Sequence, residues 1–237
     1  MNDFQVPLAG FGGALEFIFS PQSSNVTGGK SVGGLEQSLD LALKQLEVTG
    51  LAMAVALIIA LPLGLYLGHK GKGEQVLVGV ANAGRAIPEL ALIALVAALI
   101  GVGLVPVTLA LAVLGIPPIL TNAYVGVRQV DAATVDAARG MGMSESAIIR
   151  KVELPLAVPT VMGGIRSSTI AILATATIAP LAGVVTLGDY IINEGIYGLD
   201  GRIAGAILVA VLALSLEGIL ALLQRRLTSD GLKLKTV

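Results

Sequence analysis

Residues 90–127 read LALIALVAALIGVGLVPVTLALAVLGIPPILTNAYVGV, 38 positions without a charged side chain. A helix that crosses the hydrocarbon core of a bilayer needs roughly 20 mostly apolar residues. The run is therefore too long for one crossing. Gly101, Gly103 and Pro106 near its middle mark a turn between two crossings. The helix after the turn is expected from Val107 to Val127. The helix before it reaches spanning length only if it begins near Val76, which places Arg85, Pro88 and Glu89 inside it. Proline lacks an N–H and clashes with the preceding turn, so Pro88 is expected to kink that helix.

The same criterion finds three more crossings: Val48–Leu67 with no charge, Ala157–Ala182 carrying Arg166, and Ile203–Leu223 carrying Glu217. The fold class predicted is an all-α membrane protein of about five transmembrane helices. Composition agrees. Of 237 residues, 55% are hydrophobic and 13% charged, with mean hydropathy +0.88, whereas a soluble domain carries about 25% charged residues. The net charge of −1 gives no electrostatic footprint for nucleic acid. With no Cys and His69 as the only histidine, disulfides, thiolate metal sites and His-rich metal sites are excluded, and no metal-ligand spacing is present. No paired carboxylates or nucleophile–base arrangement suggests catalysis.

Five crossings put the two ends of the chain on opposite sides. With the N-terminus outside, the inner segments hold Lys70, Lys72, Arg128, Arg139, Arg150, Lys151, Arg225, Arg226, Lys233 and Lys235. The outer segments hold only Lys30, Lys44 and Arg202. Basic residues concentrate on the cytoplasmic side of membrane proteins, which fixes this orientation. The organisation expected is an extracytoplasmic or interfacial segment at 1–34, a transmembrane domain at 35–226 with an inner loop at 128–155, and a cytoplasmic tail at 227–237. Pro7–Phe19 is too short to span and contains Glu16, so an interfacial or re-entrant piece is expected there. Met1–Pro7 shows no basic cluster before an apolar run, so no secretory signal is expected. Gly29-Lys30-Ser31 lacks the upstream glycine of a phosphate-binding loop, because position 24 is Ser. Asn25-Val26-Thr27 fits a glycosylation sequon.

The inner loop reads VDAATVDAARGMGMSESAIIRKVELP over 130–155. Asp131 is a fair N-cap for a short helix over Ala132–Arg139, ended by Gly140 and Gly142. Ser144 is expected to cap a second helix, Glu145–Val152, which Pro155 stops. Two short amphipathic helices joined by a glycine turn make a rigid knob suited to a groove on a soluble partner.

This stretch resembles the EAA loop of binding-protein-dependent ABC importer permeases, whose pattern is E-A-A, three residues, G, nine residues, I-x-L-P. Asp136, Ala137 and Ala138 fill the first part, Gly142 falls on the glycine, and Val152, Leu154 and Pro155 land on the last part. Asp replaces Glu and Val replaces Ile, each keeping its chemical character. The resemblance implies a MetI-like permease fold in the bacterial cytoplasmic membrane, with residues 131–155 as a coupling helix docked in a cytoplasmic ATPase dimer. It also implies a second permease copy or paralogue and an extracytoplasmic substrate-binding protein. ATP and Mg would then be bound by the partner ATPase, with no cofactor on this chain. GRAIPELALIALVAALIGVG, NAYVGV and VELPLAVPTVMGGIRSSTIAILATATIAPL further resemble the osmoprotectant branch, which imports glycine betaine, choline, carnitine or proline betaine. The likeness departs at Gly183–Gly188, where that branch usually shows a glycine-rich run.

Four ionisable residues fall inside the expected spans: Arg85, Glu89, Arg166 and Glu217. Intramembrane charge is costly and often functional, and two of each sign suggest internal pairing. Arg85 and Glu89 stand at the i,i+4 spacing of one helix face. These residues form either structural ion pairs or part of the translocation pathway. Pro88 would expose carbonyls there. Asn122, Tyr124, Thr169, Thr175 and Thr177 could line a passage, and small-residue helix packing explains them equally well. A quaternary ammonium is held best by aromatic faces. Only Tyr66 and Tyr124 are expected in or beside spans, so selectivity is expected on the separate binding protein. The alternatives are a methionine or other amino-acid importer permease, an ATP-independent secondary transporter, and a non-transporting membrane anchor.

Overall fold

The computed structural model describes the backbone of residues 6–24, 29 and 31–228, and all side chains there except those of residues 6–9 and Arg85. The sequon at 25–27, Lys30 of the rejected phosphate loop, and Lys233 and Lys235 of the tail lie outside the described residues.

The chain divides into two compact units. One comprises Met1–Leu51, Leu90–Ala110 and Leu173–Ser215. It opens with α1 (Val6–Phe19) and a short antiparallel pair, β1 (Pro21–Ser23) and β2 (Ser31–Gly33), in the register Gln22 opposite Val32. α1 buries Ala14, Phe17 and Ile18 against Val32, Leu41, Leu187, Tyr190 and Ala204. The first part of α2 (Gly34–Lys70) belongs here. Its buried Gln45 donates from Nε2 to the Leu173 carbonyl at 2.7 Å, while its buried Oε1 finds no hydrogen-bond partner.

α4 (Glu89–Ile100) ends at Gly101, and the chain re-enters at the start of α5 (Leu104–Arg128). The turn expected at Gly101 and Gly103 is present, with both glycines at positive φ. A 3₁₀ segment (Ala176–Ala182), α9 (Gly188–Ile192) and the first part of α10 (Glu194–Leu227) complete this unit. Thr186 ties the loop between 3₁₀ segment and α9 by donating to the Ala176 carbonyl at 2.9 Å.

The other unit comprises Ala52–Glu89, Leu111–Ile172 and Leu216–Val237. It holds the rest of α2, α3 (Glu74–Ala86), most of α5, α6 (Ala132–Gly140), α7 (Glu145–Ile148), nearly all of α8 (Leu154–Thr175) and the end of α10. Its helices approach through small residues, as membrane helices do when no hydrophobic drive presses them together. A Cβ on Gly64 would lie 2.6 Å from that of Ala123, and one on Gly164 would lie 2.6 Å from that of Asn122. Ser168 adds a polar tie, donating to the Gly115 carbonyl at 2.7 Å.

Among the described residues four helical stretches are long and apolar enough to cross a membrane: Gly34–Lys70, Leu104–Arg128, Glu145–Ala182 and Glu194–Leu227. α3 and α4, a pair sharply bent at the break between them, form either a broken fifth span or a re-entrant loop. Here the structure corrects the sequence reading. Pro88 does not kink one helix but separates two. Ile87, held extended at φ −74° and ψ 120°, ends α3, because a residue before proline is pushed out of the α region. Arg85 and Glu89 therefore sit on different helices and share no i,i+4 face. Glu89 instead opens α4, where a carboxylate suits the positive end of the helix dipole.

Candidate functional site

The loop between α5 and α8 is an elbow of two helices and a widened turn. Asp131 caps α6 as expected, its Oδ1 accepting from the Ala133 N–H at 3.1 Å. The helix ends in a Schellman arrangement. The Met143 N–H reaches the Ala138 carbonyl at 3.2 Å and the Gly142 N–H reaches the Arg139 carbonyl at 3.0 Å. That closure requires the left-handed backbone of Gly142, at φ +82°. Nothing lies within 4 Å of a Cβ built there, so conformation and not space demands glycine.

Two expectations are corrected beyond the turn. Ser144 has N-cap geometry, but its hydroxyl makes no capping bond; its carbonyl accepts the Ala147 and Ile148 N–H groups, each at 2.9 Å. Pro155 does not stop the second helix. α7 lasts four residues and passes into a π turn over Ile149–Glu153, which continues into α8. The Leu154 N–H bonds the Ile149 carbonyl five residues back. The wider turn moves carbonyls away from the proline ring and has no need of the N–H that Pro155 lacks.

Side chains stiffen the elbow. The Arg139 guanidinium grips Glu145 through two parallel bonds, Nε to Oε1 at 3.0 Å and Nη2 to Oε2 at 3.1 Å, and reaches Asp136 through Nη1 at 2.8 Å. The hydrogen bonds that Arg139 donates to Glu145, with that carboxylate's charge, push the Arg139 pKa up from its ordinary value. Asp136 and Ala137 face outward, while Ala138 is buried. Ile148 is fully buried, and Leu154 packs with Ile149 on a core of Leu65, Ala123, Val127, Ala157 and Val161. Val152 is half-buried and Pro155 exposed.

The sequence reading missed two residues here. The side chain of His69, at the end of α2, is 3% exposed, with its Nδ1 2.9 Å from both carboxylate oxygens of Glu153. Its Nε2 lies 2.7 Å from Glu145 Oε2. A lone histidine and an unassigned position inside V-E-L-P carried no local signal of this contact.

The intramembrane residues fall into separate places. Arg166 pairs with Glu217, its Nε 3.1 Å from Oε1, and its Nη1 donates to Gln224 Oε1 at 2.6 Å. Asn122 donates to the Pro118 carbonyl and Thr169 to the Ile165 carbonyl, both at 2.8 Å and both within their own helices. Tyr124 and Thr169 are buried. Pro88 and Glu89 are exposed at the helix break. Tyr197, unnoticed in the sequence, lies within α10 and stacks edge-on with Tyr190 at 4.8 Å, and Phe17 joins them. Phe17 and Tyr190 are buried, so the trio forms core and not an open aromatic cage.

A helical membrane chain bearing this elbow matches, over residues 60–229, the family described as binding-protein-dependent transport system inner membrane component. The chain belongs to that family. As an inner membrane component it is a multi-pass protein of the cytoplasmic membrane and the permease subunit of an ABC importer. It is 37% identical over 191 residues to the choline transport system permease protein OpuBB of Bacillus subtilis, covering 80% of this chain and 88% of that one. It is 37% identical over 195 residues to the osmoprotectant import permease protein OsmY of Salmonella typhimurium, covering 80% and 82%. The fold of this inner membrane component is also that of the inward-facing MetNI methionine ABC transporter. That likeness has TM-score 0.71 and 21% identity and covers 82% of this chain and 98% of that one.

Proposed function

We propose that this permease imports a quaternary-amine osmoprotectant, with glycine betaine, choline, carnitine and proline betaine as the candidate class. The 37% identity to permeases named for choline and for osmoprotectants supports this substrate class. On this reading, an extracytoplasmic binding protein delivers the solute and a cytoplasmic ABC ATPase dimer, holding ATP and Mg, drives transport. The elbow carries the mechanical part: a capped helix, a glycine turn and a bidentate ion pair make it stiff enough to pass force from another chain. Asp131, Asp136, Ala137, Ala138, Gly142, Val152, Leu154 and Pro155 build or support its docking face.

The break at Ile87–Pro88 supports a second permease, an identical copy or a paralogue. Backbone that leaves helical form at membrane depth must be covered by protein or line a water-filled path, because lipid offers it no hydrogen bonds. α3 is 13 residues long, so the break lies about 20 Å from its start at 1.5 Å per residue. The exposed Pro88 and Glu89 would face that partner or the path between them, with Arg85 nearby in sequence. Asn122, Tyr124, Arg166 and Thr169 support the wall behind it.

The deciding experiment is uptake by proteoliposomes holding the permease, its ATPase and its binding protein. Labelled glycine betaine should enter only with ATP and an intact ATPase site, and choline and carnitine should compete while methionine does not. Methionine competition without betaine competition would overturn the substrate class, and uptake independent of the ATPase site would overturn the drive.

A further inference from the structure

His69 is the chain's one histidine and is almost wholly enclosed. Each ring nitrogen faces a carboxylate, Nδ1 at 2.9 Å from Glu153 and Nε2 at 2.7 Å from Glu145. Glu153 is 4% exposed, in the π turn, whereas Glu145 is half exposed at the start of α7. The ring thus touches two carboxylates at once, one through each nitrogen, as no single-ended polar side chain could. Glu145 is also gripped by Arg139, which holds Asp136. The outcome is an unbroken line of polar contacts, Asp136–Arg139–Glu145–His69–Glu153. It starts on α6, crosses to α7, passes through the end of α2 and finishes where α8 begins.

Apolar anchorage here is small: Ala138 is the buried residue of α6 and Ile148 that of α7. Helices of nine and four residues have little stability of their own. Charge-assisted bonds are directional and about twice as strong as neutral ones. They fix the angle of the elbow where burial alone would leave it free to tilt.

We propose that His69 is the positioning residue that fastens the elbow to α2, so that a displacement of the elbow moves α2 and is not absorbed in the loop. The inference rests on the docking reading above and concerns the residue that makes docking productive. The substitution H69Q keeps a polar side chain but cannot hold both carboxylates. E145Q cuts the same line at an exposed position, where folding is not at stake.

The test uses the assembled transporter in liposomes, with solute moved per ATP hydrolysed as the readout. Spin labels at exposed Lys70, the last residue of α2, and at exposed Ser146 report the spacing of α2 and elbow. H69Q and E145Q should each lower transport per ATP about tenfold and broaden the label distances, and the double variant should lose little more than either. If whichever variant assembles moves solute per ATP within twofold of the parent, or keeps the narrow distance distribution, His69 is not the fastening. G142V run alongside separates the two ideas. Normal transport by G142V sinks the docking reading itself, whereas loss in G142V with none in E145Q sinks only the role of His69.

Discussion

Arg166 of α8 and Glu217 of α10 meet as an ion pair, Nε 3.1 Å from Oε1, with 30% and 37% of their side chains exposed in the single chain. Removing one partner from a fully buried pair costs about 3–5 kcal/mol. Partial exposure lowers that figure, so R166M or E217L alone should cost about 1–3 kcal/mol. The double variant R166M/E217L should recover most of the loss, because no lone charge is left in the apolar region. Thermal unfolding in detergent checks this; an unchanged melting temperature for R166M would mean the pair contributes nothing.

Gly142 is needed for its backbone and not for space. Asn enters the left-handed region far more readily than β-branched residues. G142N should therefore keep most of its uptake, while G142V, strained by about 1–3 kcal/mol at the turn, should lose most of it. A series ordered by size, with G142A tolerated better than the larger G142N, would contradict the Schellman account.

Adjacent glycines in α8 offer an internal control. Gly164 lies against Asn122, so a methyl group there must push helices apart, whereas nothing lies within 4 Å of a Cβ on Gly163. G164A should cost about 1–3 kcal/mol. G163A should be neutral or gain up to about 1 kcal/mol from helix propensity. Melting of the two purified variants gives the comparison, and equal behaviour would refute the close approach.

P88A removes the steric bias that keeps Ile87 extended. α3 and α4 should then join, raising amide-exchange protection at 87–91 and lowering uptake about tenfold if the break serves the path. Unchanged protection would place the cause of the break elsewhere than in proline.

Much of this was legible in the sequence because membrane helices and caps are local phenomena. The apolar run at 90–127 announced two crossings, and Asp131 and Gly142 marked helix ends through their own chemistry. Ser144 and Pro155 misled for the same reason. A hydroxyl can point elsewhere, and a π turn can absorb a proline, and neither choice shows in residue type. His69 was invisible because its meaning depends on Glu153, 84 positions away, brought to it by the return of α8 beside α2. Tyr197 was overlooked because α10 begins at Glu194, well before the apolar run that marked its crossing. Long-range pairs are products of packing, which periodicity alone does not encode.

The π turn at Ile149–Glu153 also sets a compass bearing. Each residue of helix advances the chain by about 100° and 1.5 Å. Deleting a single residue there would leave every crossing intact yet swing the outward side of the elbow more than a quarter of a circle. The facing of the elbow is thus indexed by counting residues, and a length change of one is graver here than most changes of identity.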